Sequence, residues 1–224
     1  MRPPAPCPGR DPVEAPEAPA HPPEPGTGVA AAFARRVAAG NALVEDAERV
    51  ARACHDMAVR FHRGAKLVVF GNGGPATDAQ HVAVEFVHPV IVGKRALQAI
   101  SLTNDVPTVT GIANRFGFEE VFARQLRHLG RPEDIALGIS PDGRCENVLR
   151  GLDVARDMGM LTIALTGGDG GKIASSPSVD HPFVAASDDP LVVKEVHVTV
   201  YHVLWELVHV FFEQPGLLGP EVIR

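Results

Sequence analysis

From about residue 64 onward, short apolar runs alternate with amphipathic stretches. Leu67–Phe70, Ala96–Leu102, Ile135–Ile139, Leu161–Leu165 and a weaker Val179–Val184 read as strands. The runs are continuous rather than alternating, as strands buried on both faces should be. Between them, 76–87, 118–129, 146–158 and a long 191–212 read as helices, with Gly130 and Gly159 as stops. Strand–helix alternation of this kind predicts a parallel sheet covered on both faces. The expected fold class is α/β, a three-layer αβα sandwich. Ahead of the first strand, residues 29–64 carry Leu43, Val50, Met57 and Phe61 at seven- and four-residue steps. That spacing predicts one or two N-terminal helices, with Gly40-Asn41 as a candidate break.

The first 28 residues differ, holding ten of the chain's 20 prolines. Proline blocks helices and lacks a backbone donor, so residues 1–28 are expected to be an extended or disordered tail on a single domain over 29–224. The chain has 224 residues, of which 45% are apolar, enough for one substantial core. Its net charge of -6 argues against direct binding of nucleic acid. No apolar run reaches membrane-spanning length, and the start lacks a basic-then-apolar leader. Cys7, Cys54 and Cys145 are odd in number and widely spaced, which fits a reducing cytoplasm better than a disulfide framework.

In a parallel sheet, ligands sit at the carboxyl ends of the strands. The loop Gly71-Asn72-Gly73-Gly74 there opens a helix and can cradle an anion on backbone amides, or be a plain tight turn. Ser140-Pro141-Asp142-Gly143-Arg144-Cys145 follows the third strand, and the glycine-rich Thr166–Gly171 follows the fourth. His81 and Glu85 are four apart and share a helix face. Glu195, His202 and His209 recur at sevens on the last helix. Imidazole and carboxylate at such spacing suit a divalent metal, an acid–base pair or a surface pair. His21, His55, His62, His88, His128 and His181 read as surface or loop residues.

Gly71–Gly74 with Asp78-Ala79-Gln80-His81 and Glu85 resembles the SIS (sugar isomerase) domain of bacterial phosphoheptose isomerases. So do Gly117–Phe122, Gly130–Asp134, Leu165–Gly171 and Glu195-Val196-His197. The likeness spans about residues 30–213. Replication-initiator-associating proteins of the same subfamily share the pattern without being isomerases. The resemblance implies a five-stranded parallel sheet, a homotetramer with active sites between subunits, and aldose–ketose isomerisation of sedoheptulose 7-phosphate through an enediol. Carried over by position, Glu85 is the base and His202 its acid–base partner. Asn72, Gly73, Gly74, Asn114, Arg115, Ser140, Gly143, Arg144 and Lys194 fall on substrate-binding positions. Some members hold zinc, and His81, Glu85 and His202 fall on its ligand positions.

The chain departs from the family where a phosphate would be held. Pro75 stands where the family has a serine. Pro141, Asp142 and Cys145 replace three hydroxyl donors. Arg115 replaces an aspartate, and Lys194 replaces a glutamine ligand of the metal. An ammonium does not ligate a cation but can fill its place, so zinc is in question. If Lys194 ion-pairs with Glu85, the metal is absent and the base is neutralised; if it projects to solvent, a three-ligand metal site survives. Two functions follow: an isomerase-like enzyme on a sugar phosphate or related acidic sugar, or an inactive SIS protein serving as a binding or assembly subunit.

Overall fold

The computed structural model describes residues 27–218. The proline-rich tail lies outside the described residues, except that Thr27 and Gly28 already begin a helix. Helix α1 is Thr27–Glu45 and α2 is Ala47–His62. They break at Asp46, not at Gly40-Asn41. Gly40 has open space around it and only lowers helix propensity. Asp46 has a short carboxylate that disfavours a helix interior, and it pairs with Arg49 at 2.7 Å. The chain divides at Ala34–Arg35 into a short N-terminal unit, holding the start of α1, and the body described below.

The body contains β1 Leu67–Gly71, β2 Ala99–Ser101, β3 Ile135–Ile139, β4 Leu161–Gly167 and β5 His181–Ala185. All four pairings are parallel, in the order β2-β1-β3-β4-β5. The helices that follow α2 are α3 Gly74–Val87, α4 Val106–Phe116, α5 Val121–Leu129, α6 Glu146–Asp157, α7 Gly171–Ala174 and α8 Pro190–Glu213. Alternation along each strand supplies the two cores. Leu67 and Val69 of β1 pack with residues of α2, α3 and α8. Val68 and Phe70 point the other way, among residues of α5 and α6. The three-layer αβα sandwich is as expected. Among the described residues, no helix is long and apolar enough to cross a membrane.

The chain runs from β1 outward to β2, then back past β1 to β3. That reversal opens a crevice beyond the carboxyl ends of β1 and β3. Three expectations need correction. The second strand is shorter than 96–102, because Leu97 N–H donates to the Phe86 carbonyl at 2.8 Å instead of joining the sheet. The helix expected over 118–129 is a 3-10 turn at Phe118–Glu120 followed by α5. Helix α4 was not expected, since Pro107, Gly111 and several β-branched residues lower its helix propensity, although Val109, Ile112 and Ala113 pack on the core from one face. Its start is fixed by Asp105, which accepts the Thr108 N–H at 3.1 Å.

Candidate functional site

Helices α3 and α8 run in the same direction and are joined by three polar rungs. Asp78, on the first turns of α3, accepts from Lys194 Nζ at 2.6 Å. One turn on, His81 Nδ1 lies 2.8 Å from the Tyr201 hydroxyl. Further along, Trp205 Nε1 donates to the Glu85 carbonyl at 2.9 Å. The i,i+4 pair on α3 closes as its spacing required, with His81 Nε2 3.2 Å from Glu85 Oε1. His202 packs its ring edge-on to His81, centroids 5.2 Å apart. His81, Glu85 and His202 each offer a ligand atom, and all these atoms lie within 4.8 Å of one another. A nitrogen, oxygen, nitrogen donor set of this span suits zinc, whose bonds to such ligands are about 2.0–2.2 Å.

Lys194 does not enter that cluster through Glu85. Its ammonium is held by the buried Asp78 carboxylate, with the Gly74 carbonyl 3.4 Å away. Neither expected arrangement occurs: the lysine neither neutralises Glu85 nor stands free in solvent. Tyr201 is buried, and burial beside Asp78 and Glu85 pushes its hydroxyl well above the ordinary tyrosine value. It is therefore a neutral phenol at the site.

The second half of the site is made of loops. Asn72 and Asn147 exchange side-chain hydrogen bonds at 2.7 and 3.0 Å, tying the loop after β1 to the start of α6. Beside them is a cavity of about 630 Å3, whose lining includes Asn72, Asp142, Arg144, Asp169 and Asp188. Its donors are largely taken from within. Asp142 Oδ1 accepts the Arg144 N–H at 2.9 Å and the Ser140 hydroxyl at 3.4 Å. The Arg144 guanidinium grips both Asp169 oxygens, at 2.8 and 2.7 Å. The Gly171 amide, then Arg144, hold the Asp169 carboxyl below the usual carboxylate range.

Gly143 has φ +68°, and a Cβ on it would fall 1.8 Å from the Gly170 carbonyl oxygen. Only glycine lets the loop after β3 lie against the loop after β4. The structure accounts for this residue by packing between loops.

The expected site residues thus separate into groups. His81, Glu85 and His202 come together. Asn72, Gly73, Ser140, Gly143 and Arg144 gather at the loops after β1 and β3, and Gly74 meets Lys194. Asn114 and Arg115 stand exposed on the last turn of α4, where Arg115 lies over its neighbour Phe116, 5.1 Å from the ring centroid. His209 is buried, its ring nitrogens facing the Trp205 and Arg95 carbonyls at 2.8 and 2.9 Å, so the stripe through Glu195 and His202 ends in the core. His181 belongs to β5 and meets Asp56 at 2.9 Å rather than lying on a loop.

Sequence reasoning gave no role to Asp78, Tyr201 or Asp169. For the first two a signal existed. Asp78, His81 and Glu85 follow i, i+3, i+7 on α3, and Lys194 and Tyr201 are seven apart on α8, so each set shares a face.

The parallel sheet carries glycine-rich loops at its switch point and is flanked by the His–Glu–His cluster. Residues 31–167 match the family described as SIS domain, and the chain belongs to it. Within that family it is similar to phosphoheptose isomerases. It is 41% identical over 193 residues to the one from Solidesulfovibrio magneticus, covering 85% of this chain and 93% of that protein. Identity to the phosphoheptose isomerase of Aquifex aeolicus is 44% over 152 residues, or 68% and 78% of the two chains. The solved phosphoheptose isomerase of Neisseria gonorrhoeae matches with a TM-score of 0.74 at 33% identity, over 81% of this chain and 97% of that one.

Proposed function

We propose that this protein is an aldose–ketose isomerase acting on a sugar phosphate such as sedoheptulose 7-phosphate. The observation that carries this reading is the convergence of His81, Glu85 and His202, with ligand atoms within 4.8 Å. Glu85 is the base. Its carboxylate takes the proton from C1 of the ketose, giving an enediol, and returns it to C2. His202 gives a proton to the C2 oxygen as the carbonyl opens and takes one from the C1 oxygen as the aldehyde forms. No proton or electron is gained or lost overall. His81, Glu85 and His202 would hold a zinc ion, which would supply polarisation of the sugar carbonyl. Asn72, Gly73, Gly74, Ser140, Gly143, Arg144 and Lys194 form the binding side.

A homotetramer in the cytoplasm belongs to the same reading. Association with another copy is supported by an apolar cleft of about 730 Å3 beside the edge strand β2, lined among others by Val84, Val87, Ile112 and Leu129. Such a cleft favours burial against another copy.

The test is purified protein, with and without zinc, given sedoheptulose 7-phosphate and followed for aldose. Turnover that disappears in Glu85→Gln is the expected result. The second reading, a binding or assembly subunit without turnover, is favoured by one observation. The cavity presents Asp142, Asp169 and Asp188, and Arg144 is already paired with Asp169. Sugar phosphate binding with no aldose formed from any ketose phosphate supports that reading.

A further inference from the structure

Tyr201 has no part in the chemistry above, yet its hydroxyl is the partner of a cluster residue. It lies 2.8 Å from His81 Nδ1, while Nε2 of the same ring lies 3.2 Å from Glu85 Oε1. The rings of Tyr201, His81 and His202 meet edge-on in each pairing, with centroids 4.9 to 5.4 Å apart. A carboxylate oxygen only accepts, so an Nε2 facing it carries the hydrogen. The neutral imidazole then has a bare Nδ1, and the Tyr201 O–H donates to it. A metal ion at Nε2 needs the lone pair there instead. The ring hydrogen must then sit on Nδ1, and the same tyrosine oxygen must accept from it. A hydroxyl does both by rotating its hydrogen. Phenylalanine does neither.

We propose that Tyr201 is a positioning residue that holds the His81 ring in both tautomers, one bonded to Glu85 and one free to ligate a metal. This rests on the reading of His81, Glu85 and His202 as a metal site. The rungs on either side, Asp78–Lys194 and Glu85–Trp205, fix α3 against α8 independently of the hydroxyl. Tyr201→Phe should therefore fold.

The experiment compares wild type and Tyr201→Phe by zinc competition against a chromophoric chelator, with thermal unfolding as the control for folding. A third measurement, 15N spectra of histidine-labelled, metal-free wild type, reads the His81 tautomer without any variant. The expected results are an Nε2–H tautomer and zinc affinity lowered about 10–100-fold in Tyr201→Phe. Equal zinc affinity in the two proteins, or an Nδ1–H tautomer in metal-free wild type, overturns this proposal and leaves the metal reading standing. Wild type that takes up no zinc overturns both.

Discussion

The His81–Glu85–His202 cluster and the loop cavity by Asn72, Arg144 and Asp169 are built from different material. The cluster stands wholly on α3 and α8, whose backbones are fixed by buried apolar residues such as Val82, Phe86, Val200 and Leu204. Of its side chains, His81 is oriented by a bond between the helices, to the Tyr201 hydroxyl. The cavity stands on loops after β1, β3, β4 and β5, and within it Arg144 pairs with Asp169 while Asp142 accepts from its own loop. In the first region polar groups remain with chemistry to offer. In the second, Asp142 and Asp169 take up donors that an anionic ligand would otherwise use. A phosphate entering there has to displace a carboxylate already bonded.

The strongest way to break this contrast is Glu85→Gln. An amide is isosteric but does not take the proton, so kcat should fall about 10²–10⁴-fold with the melting temperature little changed. A change confined to KM in steady-state assays would place the chemistry elsewhere and remove the distinction. In the loop region the largest effect belongs to Gly143→Ala. Its φ of +68° and the 1.8 Å approach to the Gly170 carbonyl leave no room for a methyl group. Strain of this kind costs about 1–3 kcal/mol, read by denaturant unfolding. A stable Gly143→Ala protein would show that the two loops are not rigidly packed.

The same contrast governs what the sequence revealed. The sheet was legible because β1, β3 and β4 are continuous buried runs, and His81–Glu85 because spacing of four fixes a shared face. Helix α4 was hidden because Pro107, Gly111 and β-branched residues mask its apolar face, and the break at Asp46 because helix propensity outweighs one exposed glycine. The partner of Lys194 was not legible. Choosing Asp78 over Glu85 depends on how α8 is rotated and shifted against α3, which packing of both helices on the sheet decides. Arg144 was expected to face a ligand. That it turns to Asp169 follows from the approach of two loops whose separation no local pattern encodes.

Two matched truncations sharpen the comparison. Lys194→Met leaves Asp78 buried, its side chain 6% exposed, without its cation. Complete burial of both partners would make such a loss about 3–5 kcal/mol. Lys194 itself is 44% exposed, so solvent screening reduces the expected cost to about 1–2 kcal/mol. Arg144→Met removes a pair between two exposed side chains and should leave the unfolding midpoint unchanged within scatter. Equal losses for the two variants would mean that the loop pair is as firmly built as the helix pair.

The smallest expected effect concerns His197, where α8 meets the end of β4. Its Nε2–H donates to the Thr166 carbonyl at 2.9 Å, and the side chain is buried. Burial holds its pKa below the ordinary 6.5, although the carbonyl and the Asp78 charge pull the other way. The unfolded chain therefore takes up a proton near pH 6.5, while the folded protein resists until a lower pH. Between those two values the unfolded state binds more protons, so stability falls as pH falls. This contribution is intact above about 6.5 and is lost on acidification towards the folded value. His197→Gln keeps a donor for Thr166 but has nothing to titrate. Its unfolding free energy should therefore vary less than wild type between pH 7 and 5, a window chosen above ordinary carboxylate titration. Identical slopes would mean that the junction of α8 with β4 already admits a charged imidazole, and that the rigidity assigned to the helical half of the site stops short of this residue.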